Sequence, residues 1–219
     1  MKSELKIYKD RGCFANAMLD KYFTMAPNKI VSDIGAGFGF MKIKIEDLGG
    51  TWQPFDYINK IPETTIWDLN MPNPKKSKRP GTVIFLEVLE HLPNPLLALE
   101  NIAGHMEEEG YLILTTPNPR SSKNIINLVL KGTLYAFQEK HLGEHHVFTP
   151  WEHIVKHFLN SQGLEIIEYG IVDIQYQKRK KYGFKEYVKF LIEKILEWRN
   201  PKSIGMSYGM VAKKSKKYF

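Results

Sequence analysis

The chain has 219 residues, 43% of them hydrophobic, and a formal net charge of +7. Length and apolar content exclude a disordered chain and suit one domain, 1–219, with a substantial core. The lone Cys13 excludes an intrachain disulfide, and no apolar run is as long as a membrane span.

Met1–Lys6 lacks the apolar centre of a signal peptide, so a cytoplasmic location is expected. The positive charge permits contact with nucleic acid, anionic lipid or phosphorylated substrates and selects none of them. Phe14, Met18, Leu19, Tyr22 and Phe23 recur at helical spacing, ending at Pro27. The run from Lys29 to Phe40 (KIVSDIGAGFGF) then reads as strand, tight turn, helix. Its alternating glycines let a ligand approach the main chain, and the helix start offers N–H groups and a positive dipole end. Such a loop holds the polar part of a nucleoside cofactor. A dinucleotide fingerprint needs a different spacing: the third glycine comes one residue early and Phe40 stands where the last glycine belongs. A nicotinamide-dependent oxidoreductase is therefore disfavoured.

Residues 41–48 read as a helix stopped by Gly49 and Gly50, and Thr51–Asp56 as a strand that Pro54 makes short or irregular. Asp56 at its carboxyl end can accept hydrogen bonds from two ribose hydroxyls. Thr64–Asn70 is a third strand and its exit. Residues 71–81, with the run Lys75–Arg79, read as a solvated loop. Thr82–Leu86 is a buried strand leading into Glu87-Val88-Leu89-Glu90-His91-Leu92. Asn94 caps a helix with Pro95 at its first position, an apolar face from Leu96 to Met106, and Gly110 as its stop. Tyr111–Thr116 is a fifth strand. A helix over 123–130 follows, and Thr149 with Glu152 reads as a capping box for the next. Residues 163–169 and 208–212 are the last two strands. Between them, Phe184, Val188, Leu191, Ile195 and Trp198 form one helical stripe. Its lysines and glutamates favour a packed helix or a dimer face. The preceding Lys178–Lys181 keeps an anionic membrane surface in view.

Strand–helix alternation predicts an α/β fold: a doubly wound, mostly parallel seven-stranded sheet with helices on both faces. Its ligands bind at the carboxyl ends of the strands, where Asp33, the glycine loop, Asp56, Asp68 and Glu87 all fall. The run Asp33-Ile34-Gly35-Ala36-Gly37-Phe38-Gly39 resembles the first motif of the class I S-adenosylmethionine-dependent methyltransferases. The resemblance covers roughly 14–175 and the last strand. It implies a methyltransferase whose cofactor, S-adenosylmethionine, meets Asp33, Gly35, Ala36, Gly37, Gly39, Asp56 and Glu87. It further implies that Asp68 bonds the adenine amino group and Leu69 packs on the ring. Residues 14–119 would form the cofactor half. Residues 120–150 and 176–203 would be acceptor-side or interface insertions.

Glu87, Glu90 and His91 are spaced i, i+3, i+4 and share one face if that turn is helical. With a histidine from 141–146 they can hold a divalent ion such as Mg or Mn. This pattern resembles the metal-binding subset that includes small-RNA 2′-O-methyltransferases and ubiquinone-pathway O-methyltransferases. His146-Val147-Phe148 matches the RNA group's later histidine and favours His146 as fourth ligand. The plainer reading is that these residues only cap the following helix. Without a metal, His91 or His146 serves as general base. The expected reaction is methyl transfer to an O or N nucleophile of a small molecule, sugar or lipid precursor. An RNA acceptor and a non-catalytic adenosyl-binding regulatory module are the alternatives. Oligomeric state is not legible.

Overall fold

The computed structural model describes residues 5–74, 77–139, 143, 145–174 and 183–216. The runs 75–76 and 178–181 and the residues His141 and Glu144 lie outside the described residues.

All the described strands join one sheet. In chain order they are β1 (Lys6–Tyr8), β2 (Ile30–Ile34), β3 (Thr51–Asp56), β4 (Thr65–Ile66), β5 (Thr82–Leu86), β6 (Tyr111–Pro117), β7 (Leu164–Val172) and β8 (Ser207–Lys214). Their spatial order is β1-β7-β8-β6-β5-β2-β3-β4. Strands β2 to β6 run parallel, and β8 is antiparallel to both β6 and β7. The seven expected strands are all present, and β1 is an eighth, lying parallel to β7 at the sheet edge. Three residues show too little periodicity to announce a strand.

The helices are α1 (Arg11–Tyr22), α2 (Lys42–Asp47), α3 (Pro95–His105), α4 (Ser122–Lys131), α5 (Glu152–Ser161) and α6 (Phe184–Arg199). Alternation along the strands divides the core between the two faces. Val83, Phe85, Leu112 and Leu114 pack with Leu99 and Ile102 of α3 and Val155 and Leu159 of α5. Ile84, Tyr111 and Ile113 pack with Phe14 and Leu19 of α1 and Ile45 of α2. Burial on both faces explains why these strands read as continuous apolar runs. The close approach of α1 to the sheet rests on Gly209, where a Cβ would meet the Phe14 ring at 2.5 Å. Gly209→Ala therefore overpacks a fully buried contact. It should lower the unfolding free energy by about 1–3 kcal/mol, read from the urea midpoint.

Pro54 sits inside β3 without breaking it. The backbone of Phe55 faces β2, where its carbonyl takes the Gly35 and Ala36 N–H groups, so Pro54 faces the other way. On that side β4 pairs only with Phe55 and Asp56, leaving no partner at Pro54 that needs an N–H.

Several expectations are corrected. Helix α2 has six residues and begins only at Lys42. The third strand shrinks to Thr65–Ile66. Helix α3 ends at His105, short of Gly110, and Leu96 is exposed. Thr149 does not cap α5: the cap position is Trp151, without a side-chain bond. Glu152 is buried instead among Lys156 and Lys202, both at 2.7 Å. Arg79, expected in a solvated loop, donates to the Met106 carbonyl at 2.6 Å. The stripe on α6 is not packed: its five apolar residues are exposed. Among the described residues, no helix is long and apolar enough to cross a membrane.

His105 is fully buried, edge-on to Phe55 and Trp67, with Nε2 3.0 Å from Ser32 Oγ. Burial, aided by Arg79, pulls its pKa down to about 4. An unfolded histidine takes up its proton near pH 6.5, so the folded state resists protonation between there and 4. This contribution is full above about pH 6.5 and is lost as pH falls, up to roughly 3 kcal/mol. Urea unfolding of the wild type should therefore weaken between pH 7 and 5 more steeply than that of His105→Gln.

Candidate functional site

Strands β2 to β6 point the same way, so their carboxyl ends share one edge of the sheet. The chain leaves β2 toward β3 on one side and returns to β5 on the other. The crevice between β2 and β5 is thus the topological switch point.

The glycine loop leaves β2 at this crevice. Gly35, Gly37 and Gly39 all have positive φ, at 78°, 56° and 75°, a region that disfavours side chains. A Cβ on Gly35 would overlap Val88 Cγ2, which locks the loop onto the turn after β5. A Cβ on Gly37 would meet nothing within 4 Å. The loop is therefore packed at its start and open at its middle, as a ligand cradle requires. The Gly37 N–H donates to Asp56 Oδ2 at 2.9 Å, joining loop and strand-end acid directly. Asp56 also accepts from Ile58 N at 3.2 Å, and Lys60 lies 4.0 Å away. Tyr57 and Ile58, exposed at 72% and 59%, follow it immediately. An exposed aromatic–aliphatic pair beside a strand-end acid suits stacking on a flat heterocycle, and the sequence reading passed over it.

Asp33 is buried and accepts from Trp52 Nε1 at 3.0 Å. Burial, with the charge of Asp56 nearby, raises its pKa to about 6. Asp68 lies past β4, where Asn70 N and Nδ2 donate to its Oδ1 at 2.9 and 2.8 Å. Leu69 is 6% exposed and belongs to the core cluster with Phe55 and Leu99.

The turn after β5 separates the four expected ligands. Glu87 takes a left-handed backbone, φ 53°, just before a 3₁₀ turn over Leu89–His91. That turn of the chain sends Glu87 toward β8, where Ser207 Oγ donates to its Oε2 at 3.2 Å. Its Oε1 is buried with no hydrogen-bond partner among the described residues. Glu90 is 1% exposed and accepts from Thr116 Oγ1 at 3.0 Å. Burial raises both acids, Glu87 to about 6 and Glu90 well above the usual range, and their mutual repulsion raises Glu90 further. Two adjacent buried carboxylates are costly unless a cation joins them.

The segment before α5 brings His146 to this turn. The N–H groups of Val147 and Phe148 both donate to the Glu90 carbonyl at 3.0 Å. The His91 and His146 rings meet edge-on, centroids 4.7 Å apart. Glu90, His91 and His146 each offer a ligand atom, all within 4.8 Å of one another. Glu87 is not in this group. His146 Nδ1 lies 2.8 Å from the Ala136 carbonyl. A carbonyl only accepts, so Nδ1 carries a proton, and in the neutral ring the lone pair is on Nε2.

A family model described as a methyltransferase domain matches residues 9–170. A search of curated proteins returned no match. Among solved structures, an S-adenosylmethionine-dependent methyltransferase from Archaeoglobus fulgidus is 20% identical, with a TM-score of 0.58, covering 94% of this chain and 95% of that one. One from Clostridium acetobutylicum is 10% identical, with a TM-score of 0.63 and coverages of 94% and 93%. The magnesium protoporphyrin IX methyltransferase of Synechocystis, with S-adenosylmethionine bound, is 16% identical, with a TM-score of 0.53 and coverages of 94% and 83%. The match spans the glycine loop, Asp33, Asp56 and the turn after β5, and the chain belongs to the methyltransferase-domain family, with the fold of S-adenosylmethionine-dependent methyltransferases.

Proposed function

We propose that this methyltransferase acts on an oxygen or nitrogen nucleophile of a small molecule, with Glu90, His91 and His146 facing the acceptor. The observation that carries this reading is the convergence of those three side chains at the carboxyl edge that also bears the glycine loop. Bound S-adenosylmethionine supplies an already activated methyl group, which leaves the protein the tasks of alignment and water exclusion. The Gly37 region admits the nucleoside, Asp56 accepts from the ribose hydroxyls, and Tyr57 and Ile58 offer a stacking surface. Asp33 steadies the loop through Trp52.

His146 is the stronger candidate base. Its Nε2 lone pair is fixed by the Ala136 contact, and it can take a proton from an acceptor hydroxyl or ammonium. The same three residues fit a divalent ion. Two imidazoles and one carboxylate suit manganese better than magnesium, which prefers oxygen ligands. The histidine-to-carbonyl bond is the usual support for a metal-bound imidazole. The ion would lower the pKa of an acceptor hydroxyl. Glu87 then stands apart as a second buried acid rather than a ligand. The Synechocystis neighbour, named for a small-molecule acceptor, supports that acceptor class.

The test is methyl transfer by the purified protein to a panel of hydroxyl, amine and RNA acceptors, with and without chelator. Turnover of a small acceptor, suppressed by chelator and restored by manganese, is expected. Turnover of RNA alone would overturn the acceptor class, and full activity in excess chelator would end the metal reading. Asp56→Ala should weaken S-adenosylmethionine binding by about tenfold or more in calorimetry, the loss of charge-assisted bonds worth roughly 1.5–3 kcal/mol.

A further inference from the structure

Helix α6 is mounted inside out. At about 100° per residue, Phe184, Tyr187, Val188, Leu191, Ile195 and Trp198 share one arc. That arc faces away from the protein: Phe184 is 84% exposed, Ile195 62% and Trp198 85%. The opposite side is the one that docks. There Glu197 is buried and accepts from Ser122 Oγ of α4 at 2.9 Å and from Lys194 Nζ at 2.7 Å. An ordinary surface helix does the reverse, burying its apolar stripe and wetting its charges.

The acids follow the same division. Glu186, Glu193 and Glu197 fall within roughly 40° of one another on the side opposite the arc, where Glu197 is buried and Glu186 is exposed. Lys185, Lys194 and Arg199 stand at the two borders of the apolar arc. The acids that read as interspersed along the sequence are therefore gathered on one side of the helix, with Lys189 beside them and Lys194 reaching Glu197 from the border. Over 178–202 the sequence carries nine Lys or Arg against three Glu, most of the chain's net +7.

We infer that this face docks on an anionic lipid surface. An apolar stripe ending in Phe and Trp, rimmed by cations, is the arrangement that lies in a bilayer interface. The rings enter the acyl boundary while the lysine stems let their ammonium groups reach the headgroups. A second copy of the chain is the poorer partner, since pairing two such faces would set basic rim against basic rim. The inference does not depend on the acceptor or the metal. Its place in the fold links it to the candidate site. Helix α4, which carries α6, bonds through Asn124 Oδ1 to Ala136 N at 3.3 Å, and the Ala136 carbonyl holds His146.

The experiment is co-sedimentation of the full chain with phosphatidylcholine vesicles, with and without phosphatidylglycerol. Binding should be about tenfold greater with phosphatidylglycerol and should fall as salt rises. Trp198 emission should shift to the blue on those vesicles, and the shift should vanish in Trp198→Phe. Leu191→Glu with Ile195→Glu should abolish binding. Both side chains are exposed, so unchanged circular dichroism and S-adenosylmethionine affinity should accompany the loss. Absence of binding to anionic vesicles overturns the inference, as does binding that survives the double substitution. A dimer that the double substitution dissociates, in a protein that ignores vesicles, would assign the face to self-association instead.

Discussion

Gly37→Leu should leave the protein folded and lower its affinity for S-adenosylmethionine by about 100-fold or more, about 2.7 kcal/mol. The two halves of that expectation rest on different observations. Space around Gly37 is open: an added Cβ meets nothing within 4 Å, so a side chain can start there without displacing the protein. Its φ of 56° costs a side chain on the order of 1–2 kcal/mol, which a domain of ordinary stability tolerates. The leucine would instead fill the space in which the nucleoside is expected, beside the Gly37–Asp56 bond. Gly35→Leu is the contrasting variant. There the side chain overlaps Val88, so the fold itself should weaken. Calorimetric titration of both variants, with thermal unfolding alongside, separates the effects. Wild-type affinity in folded Gly37→Leu would show that the loop does not cradle the cofactor.

His146→Ala and Glu90→Gln should each lower methyl transfer by about 100-fold and remove its dependence on manganese. The histidine loses the Nε2 held in place by the Ala136 carbonyl. The glutamine keeps the shape of Glu90 and its bond from Thr116 but cannot carry the charge that a cation would offset. Glu90→Gln also relieves a buried, raised carboxylate, so its unfolding free energy should hold or rise while activity falls. That divergence distinguishes a ligand from a structural residue. Glu87→Gln supplies the internal comparison: it lies outside the three-residue group, and its manganese dependence should persist. Loss of dependence in Glu87→Gln alone would place the ion elsewhere.

The sheet was legible because both of its faces are buried. Runs such as Thr82–Leu86 and Tyr111–Thr116 need no alternation to read as strands once glycine and proline bound them. The switch-point acids were legible for a related reason: a strand that ends in a carboxylate marks its carboxyl end on the sequence itself. What escaped depended on the third dimension. Spacing placed Glu87 with Glu90 and His91, but its left-handed backbone puts it before the turn, facing Ser207. Thr149 had the composition of a cap, yet the chain there bends at Trp151 while Glu152 serves two lysines instead. The stripe on α6 was read correctly as a stripe, to be packed or to form a dimer face, and its exposure removes the first of those readings. Periodicity shows that a face exists; it does not say what the face meets. The bond from Trp52 to Asp33 had no local signal, because it crosses between neighbouring strands.

The central claim is that Gly35–Gly39 and Asp56 meet around one adenosyl group at the β2–β5 crevice. A crystal structure with S-adenosylhomocysteine tests it most directly. The ribose hydroxyls should lie within hydrogen-bonding distance of Asp56, with the nucleoside against Gly37. An adenosyl group bound at any other edge of the sheet would contradict the account.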